Sequence, residues 1–231
     1  MKHQTANRRL KHSLSLLALC GLLAGCSSAP PPADWKMNAV SLLDHAQQSW
    51  LEGDTQTAEL AMQKARDAIA QSGRIDLLAR AELAACASHI ASLDFSACSA
   101  YDKLAPDASA DDQAYARFLA ADWSRIDAKS IPAHYADLIS AKDDAKANQA
   151  AMEIKAPLPQ LIAAALLFRG GRAQPATMNA AIDSASERGW RRPLLAWLEV
   201  QRKRALASGD ADSAKLLQRR IDLILGQNKL P

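Results

Sequence analysis

Apolar stretches long enough to cross a bilayer are missing from this chain. The most prominent candidate, SLSLLALCGLLAG (13–25), has thirteen residues, where a spanning helix needs about twenty. Strand-like runs rich in Val, Thr and Tyr are missing too, which argues against a sheet-based fold. Glycine is scarce beyond residue 26, and each one lies between periodic segments. No HExxH, P-loop, GxGxxG or GxSxG string occurs. The zinc-protease, P-loop, dinucleotide-binding and serine-hydrolase classes those strings mark are therefore not indicated.

Metal chemistry lacks ligands. His45, His89 and His134 fall on three different predicted helices. Cys86-x-x-His89 would need two more ligands at fixed spacing, and none is nearby. No metal or cofactor is expected. Aspartates such as Asp54, Asp143 and Asp210 sit at predicted helix starts, where a short carboxylate caps free N–H groups and meets the positive end of the helix dipole. Periplasmic all-α superhelices occur in lytic transglycosylases, but their catalytic Glu-Ser pair and glycine-rich stretch have no counterpart here. No catalytic residue is assigned and no enzyme is expected.

The first residues carry an address. Lys2, Arg8, Arg9 and Lys11 form a basic start without acids, the thirteen-residue apolar run follows, and small residues close it. This is the layout of a secretory signal peptide. Leu23-Ala24-Gly25-Cys26 resembles the lipobox of bacterial lipoproteins. That resemblance implies cleavage after residue 25 and lipidation of Cys26; Ser27, in place of an Asp, implies the outer membrane. Residues 26–33 then form a lipidated cysteine and a Pro-rich tether, because three consecutive prolines favour extended chain. The four leader cations also account for the basic balance. The other 24 Lys and Arg face 25 Asp and Glu, a formal −1 instead of the whole-chain +3. A nucleic-acid partner would require a basic folded face, and none is expected.

Residues 34–231 read as one all-α domain. Alanine and leucine recur at helical spacing, as in AVSLLDHAQQSWLE (39–52), and LIAAALLFR (161–169) is apolar enough to be a buried helix. Gly and Pro breakers divide the body into about ten helices, or five helical hairpins. Gly53-Asp54…Ala58, Gly209-Asp210…Ala214 and Gly171…Ala176 repeat one turn signature. It resembles the tetratricopeptide (TPR) repeat of Gram-negative envelope lipoproteins among others. The resemblance implies an irregular α-solenoid with close-packed small pairs at Ala46/Ala58, Ala164/Ala176 and Ala121/Ala133.

In that frame Arg80, Asp122, Arg125, Arg169 and Lys203 face a concave groove and could hold a peptide partner by charge-assisted bonds. GWRRPLLAWL (189–198) admits two readings. Trp190, Arg191 and Arg192 are either a packed helix corner or a partner-binding hot spot. Cys86 and Cys98 fall on the frame's two closest helix positions. An exported chain permits disulfides, so the pair is expected to be a structural staple. The functional expectation is an outer-membrane-anchored, periplasmic interaction scaffold for an unidentified envelope protein or peptide. An accessory or enzyme acting on peptidoglycan, or a small-ligand binder, is the alternative.

Overall fold

The structure is a computed structural model and describes residues 34–96 and 98–226. The leader, the lipidation position Cys26 and the whole 26–33 tether lie outside the described residues. Eleven α-helices and three 3₁₀ turns, with no strand, make up the described residues. In chain order the helices are α1 Asp34–Glu52, α2 Thr55–Ala70, α3 Ile75–Ala91, α4 Ser99–Asp102, α5 Ala110–Leu119, α6 Ala136–Ser140, α7 Asp144–Glu153, α8 Pro157–Arg169, α9 Pro175–Glu187, α10 Arg191–Ala207 and α11 Ala211–Ile224. The 3₁₀ turns are Ala105–Asp107, Ala128–Ser130 and Ala133–Tyr135.

Local chemistry sets most boundaries. Asp54, Ser109, Asp143 and Asp210 are N-caps whose side-chain oxygens accept backbone N–H groups of Thr57, Asp112, Lys146 and Ser213 at 2.8–3.1 Å. Each bond satisfies one orphan donor of the first turn. Gly53 and Gly209 reverse the chain at φ +91° and +79°, a region open to glycine at little cost. Two other helix ends use side-chain-bearing residues in the same region, Leu93 at φ +59° and Ala121 at φ +62°. There the N–H groups of Asp94 and Asp122 reach back to the carbonyls of His89 and Arg117 at 3.0 and 3.1 Å, the longer of the two bonds of a Schellman end.

Helix α8 is the buried axis, with Leu161 through Leu167 all inside. It packs against α3, α7 and α9, and the main core extends from there to α5, α6 and α10. A second, smaller core belongs to α1–α3 alone and centres on Ala39, Ala46, Met62, Ile69 and Ala81. Packing between α1 and α10 joins elements far apart in sequence, as does packing between α3 and α8. A solenoid's units touch only their neighbours, so these contacts depart from a simple linear array.

Several repeat-frame positions fall elsewhere. Ala46 and Ala58 are both buried, as close packing requires. Ala164 is buried, but Ala176 is exposed, and Thr177 and Ala181 turn inward in its place. Ala121 is an exposed turn residue and Ala133 lies in a 3₁₀ turn, so they form no helix pair. The reason is local. Residues 92–143 hold Pro106 and Pro132 and many Asp and Ser residues, which favour turns over long helices. Cys98 likewise sits not inside a second helix but at the N-cap of the four-residue α4.

One polar group anchors the second half from within. Asn148 on α7 is fully buried. Its amide donates to the carbonyls of Asp144 and Arg172 at 2.7 and 2.8 Å. Its oxygen accepts from Gln174 N–H and the Thr177 hydroxyl at 2.8 and 2.6 Å. Every hydrogen-bonding position of the side chain has a partner, as burial demands.

Candidate functional site

Short connections make α1 and α2 antiparallel, and α2 and α3 likewise. Helices α1 and α3 therefore run the same way, with α2 between them. Together they enclose an open trough of about 490 Å³. Its lining is mainly apolar. Ala39, Val40 and Leu43 come from α1, Met62 and Ile69 from α2, and Leu77, Ala81 and Ala84 from α3. Alanine on the facing turns leaves the space open, because no long side chain crosses it.

The charged groups sort by end. Lys36 in the first turn of α1, Arg66 late in α2 and Arg80 early in α3 share the end where α1 and α3 begin. Asp44 and Glu59 lie further along, toward Trp50 and His89. Arg66 is paired with Glu82. Arg80 forms a forked bond to Asp112 at 3.0 and 3.1 Å, yet its side chain is 60% exposed. Hydrogen bonds donated to these carboxylates hold both guanidiniums above their ordinary pKa. Lys36 has no carboxylate within ion-pair distance among the described residues.

The far end is closed by a stack. The Trp50 indole lies 3.7 Å from the His89 ring, nearly parallel, and 3.8 Å from the Arg192 guanidinium. Two groups that close cannot share one face, so Trp50 is held between them. His89 Nδ1 meets Asp94 at 2.9 Å. Burial alone would raise the Asp94 carboxyl, but hydrogen bonds from Ser96 and His89 outweigh it and hold the group below its ordinary value.

The GWRRPLLAWL segment is a packed corner. Trp190 and Trp197 are buried. Arg191 donates to the Glu52 carbonyl at 2.9 Å and Arg192 to the Trp50 carbonyl at 2.7 Å. Those carbonyls belong to the last turn of α1, where the Trp50 carbonyl also accepts the Gly53 N–H at 3.1 Å. Arg192 also donates to the Thr55 hydroxyl at 2.6 Å, and Trp190 to Gln48 at 3.2 Å. The corner thus clamps the α1–α2 turn onto α10.

The other sequence-derived groove residues do not meet. Arg80 lines the trough. Asp122 and Arg125 are exposed in the connection after α5, Arg169 at the end of α8 lies 5.5 Å over Phe95, and Lys203 on α10 is 3.7 Å from Glu199. Sequence reasoning missed Lys36, Val40, Leu43 and Ala84. The signal was present in a helix pair too rich in alanine to fill the space between its walls, but a repeat frame placed the groove elsewhere. The Cα atoms of Cys86 and Cys98 are 5.6 Å apart, within disulfide range. Among the described residues no group of three His, Cys, Asp or Glu side chains could hold a metal ion, and no helix is long and apolar enough to cross a membrane. No protein-family model, curated protein or solved structure matches this chain.

Proposed function

We propose that the protein is an envelope lipoprotein that works as an interaction module, held at the periplasmic face of the outer membrane by lipid on Cys26 and capturing a segment of another protein in the α1–α3 trough. The reading keeps the TPR-like character of the domain, since α1 and α3 stand where the first helices of two successive repeats would stand. One observation carries it: the trough is open, apolar and bordered by charges that a partner can pair. Such a surface suits helix-in-groove recognition, in which apolar anchors enter and polar groups set the register. The clamp from α10 holds its far end, which limits the ordering cost of binding.

A photoreactive amino acid at Val40, tested in intact cells, should yield a protein adduct that is absent when the same group replaces Leu60, exposed on α2 outside the trough. Ala84→Glu, which puts a charge on the apolar wall, should remove the adduct. Equal labelling at Val40 and Leu60 would sink the reading. The anchor is tested separately by Cys26→Ser, which should abolish fatty-acid incorporation.

A further inference from the structure

Every large apolar side chain left exposed among the described residues lies on α1–α3 or on α10 and the α11 end. The second group includes Leu216 and Leu223, 52% and 62% exposed and seven residues apart on α11. They share a stripe with Asp212 and Arg219, so the outer face of α11 reads acid, apolar, base, apolar. The trough reads in a complementary order over three positions along α1, Lys36, Val40 and Asp44, with Gln47 next on the same face. Asp212 to Arg219 spans about 10 Å of helix and Lys36 to Asp44 about 12 Å.

We infer that the trough of one copy receives α11 of a second copy, with Asp212 at Lys36, Leu216 against Val40, Arg219 at Asp44 and Leu223 beside Gln47. This rests on the trough being a docking site, as proposed above, and adds an occupant. The two charge pairs are opposite in sign in this direction. With α11 reversed, Arg219 falls toward Lys36 and Asp212 toward Asp44, so the direction is fixed by electrostatics. Each copy carries both a trough and an α11, and a two-fold axis lets the two exchange reciprocally, which closes the assembly as a dimer. In the dimer the trough is filled, so another partner's segment must displace α11.

The test is complementation, using the full chain with Cys26→Ser to remove acyl-driven association. By sedimentation equilibrium the parent should dimerise. Val40→Glu, which blocks the trough, and Leu216→Glu/Leu223→Glu, which blocks the stripe, should each weaken self-association by at least about tenfold. All three positions are more than half exposed, and circular dichroism should show unchanged helix. Mixed one to one, the two variants should form a heterodimer through the one contact that remains intact. Lys36→Glu should weaken the dimer and Asp212→Lys in the same chain should restore it. A monomeric parent, masses that grow beyond the dimer, or a mixture that stays monomeric would overturn the inference. A monomeric parent that still gives a Val40 adduct with a different protein would leave the capture reading standing.

Discussion

At the scale of single residues, two helix ends hold a side chain where glycine would fit better. Ala121 sits at φ +62° in an exposed turn. Ala121→Gly should stabilise the fold by about 0.5–1 kcal/mol, since left-handed backbone costs alanine roughly 1 kcal/mol and glycine little. Chemical denaturation would show the midpoint rising with an unchanged slope. Asn148 is the opposite case. Asn148→Ala leaves two carbonyls, one N–H and a hydroxyl without their buried partner and should cost about 2–4 kcal/mol. Acid should reveal a third class of residue. Asp54 is held below its ordinary pKa chiefly by the backbone N–H of Thr57, and Asp210 by the side chain and backbone of Ser213. With Asp94 they form a set whose folded pKa lies below the unfolded value. Their stabilisation is therefore complete above about pH 4 and is lost as pH falls through the depressed values. Asp54→Asn keeps the cap and should flatten its share of that loss in a melting series from pH 5 to pH 2.

Elements were read with unequal success for physical reasons. Helices α1, α2, α8, α10 and α11 were legible because alanine, leucine and charged residues recur at helical spacing and Gly-Asp or Pro marks the ends. The stretch from 92 to 143 was not. Its short helices and 3₁₀ turns are set by where Tyr101, Phe118 and Tyr135 find the core, a tertiary fact that no local period carries. The Tyr115 hydroxyl shows how deep that packing goes, because burial pushes it up to about 12 despite a bond from Tyr135. Cysteine pairing was legible for the wrong geometry. The two Cα atoms are close, but through the turn after α3 and not across a helical hairpin. If the pair is oxidised, reduction or Cys98→Ala should lower stability by about 3 kcal/mol for a loop of this size. Parallel melts with and without reductant, controlled by the Cys86→Ala/Cys98→Ala variant, would measure it.

At the scale of the whole molecule, the trough depends on contacts distant in sequence. The floor is a small alanine-rich core, and α1 is held from outside by Arg191, Arg192 and Trp190. Arg192→Ala removes one of two donors to the half-buried Trp50 carbonyl, the bond to Thr55 and the cation over Trp50, so a loss of about 1–2 kcal/mol is expected. Hydrogen exchange should show the loss concentrated in α1 and α2, whereas uniform deprotection of α8 would contradict it. The trough was not legible as a site because its basic end combines residues from three helices. Neither Lys36 nor Arg66 stands out in the chain, and only the antiparallel turns bring them beside Arg80.

The α10 clamp also has a consequence in time. The carbonyl of Trp50 and the Arg192 guanidinium that bonds it are separated by 142 positions. Synthesis at roughly 5–20 residues per second completes α1 about 7–28 s before residue 192 is made, and an exported chain keeps the two apart until it has crossed the membrane. During that interval the apolar walls of α1–α3 belong to a hairpin still waiting for its fastening. A factor that shields apolar segments would find its substrate there, and slowing the arrival of residues 190–192 would lengthen its window.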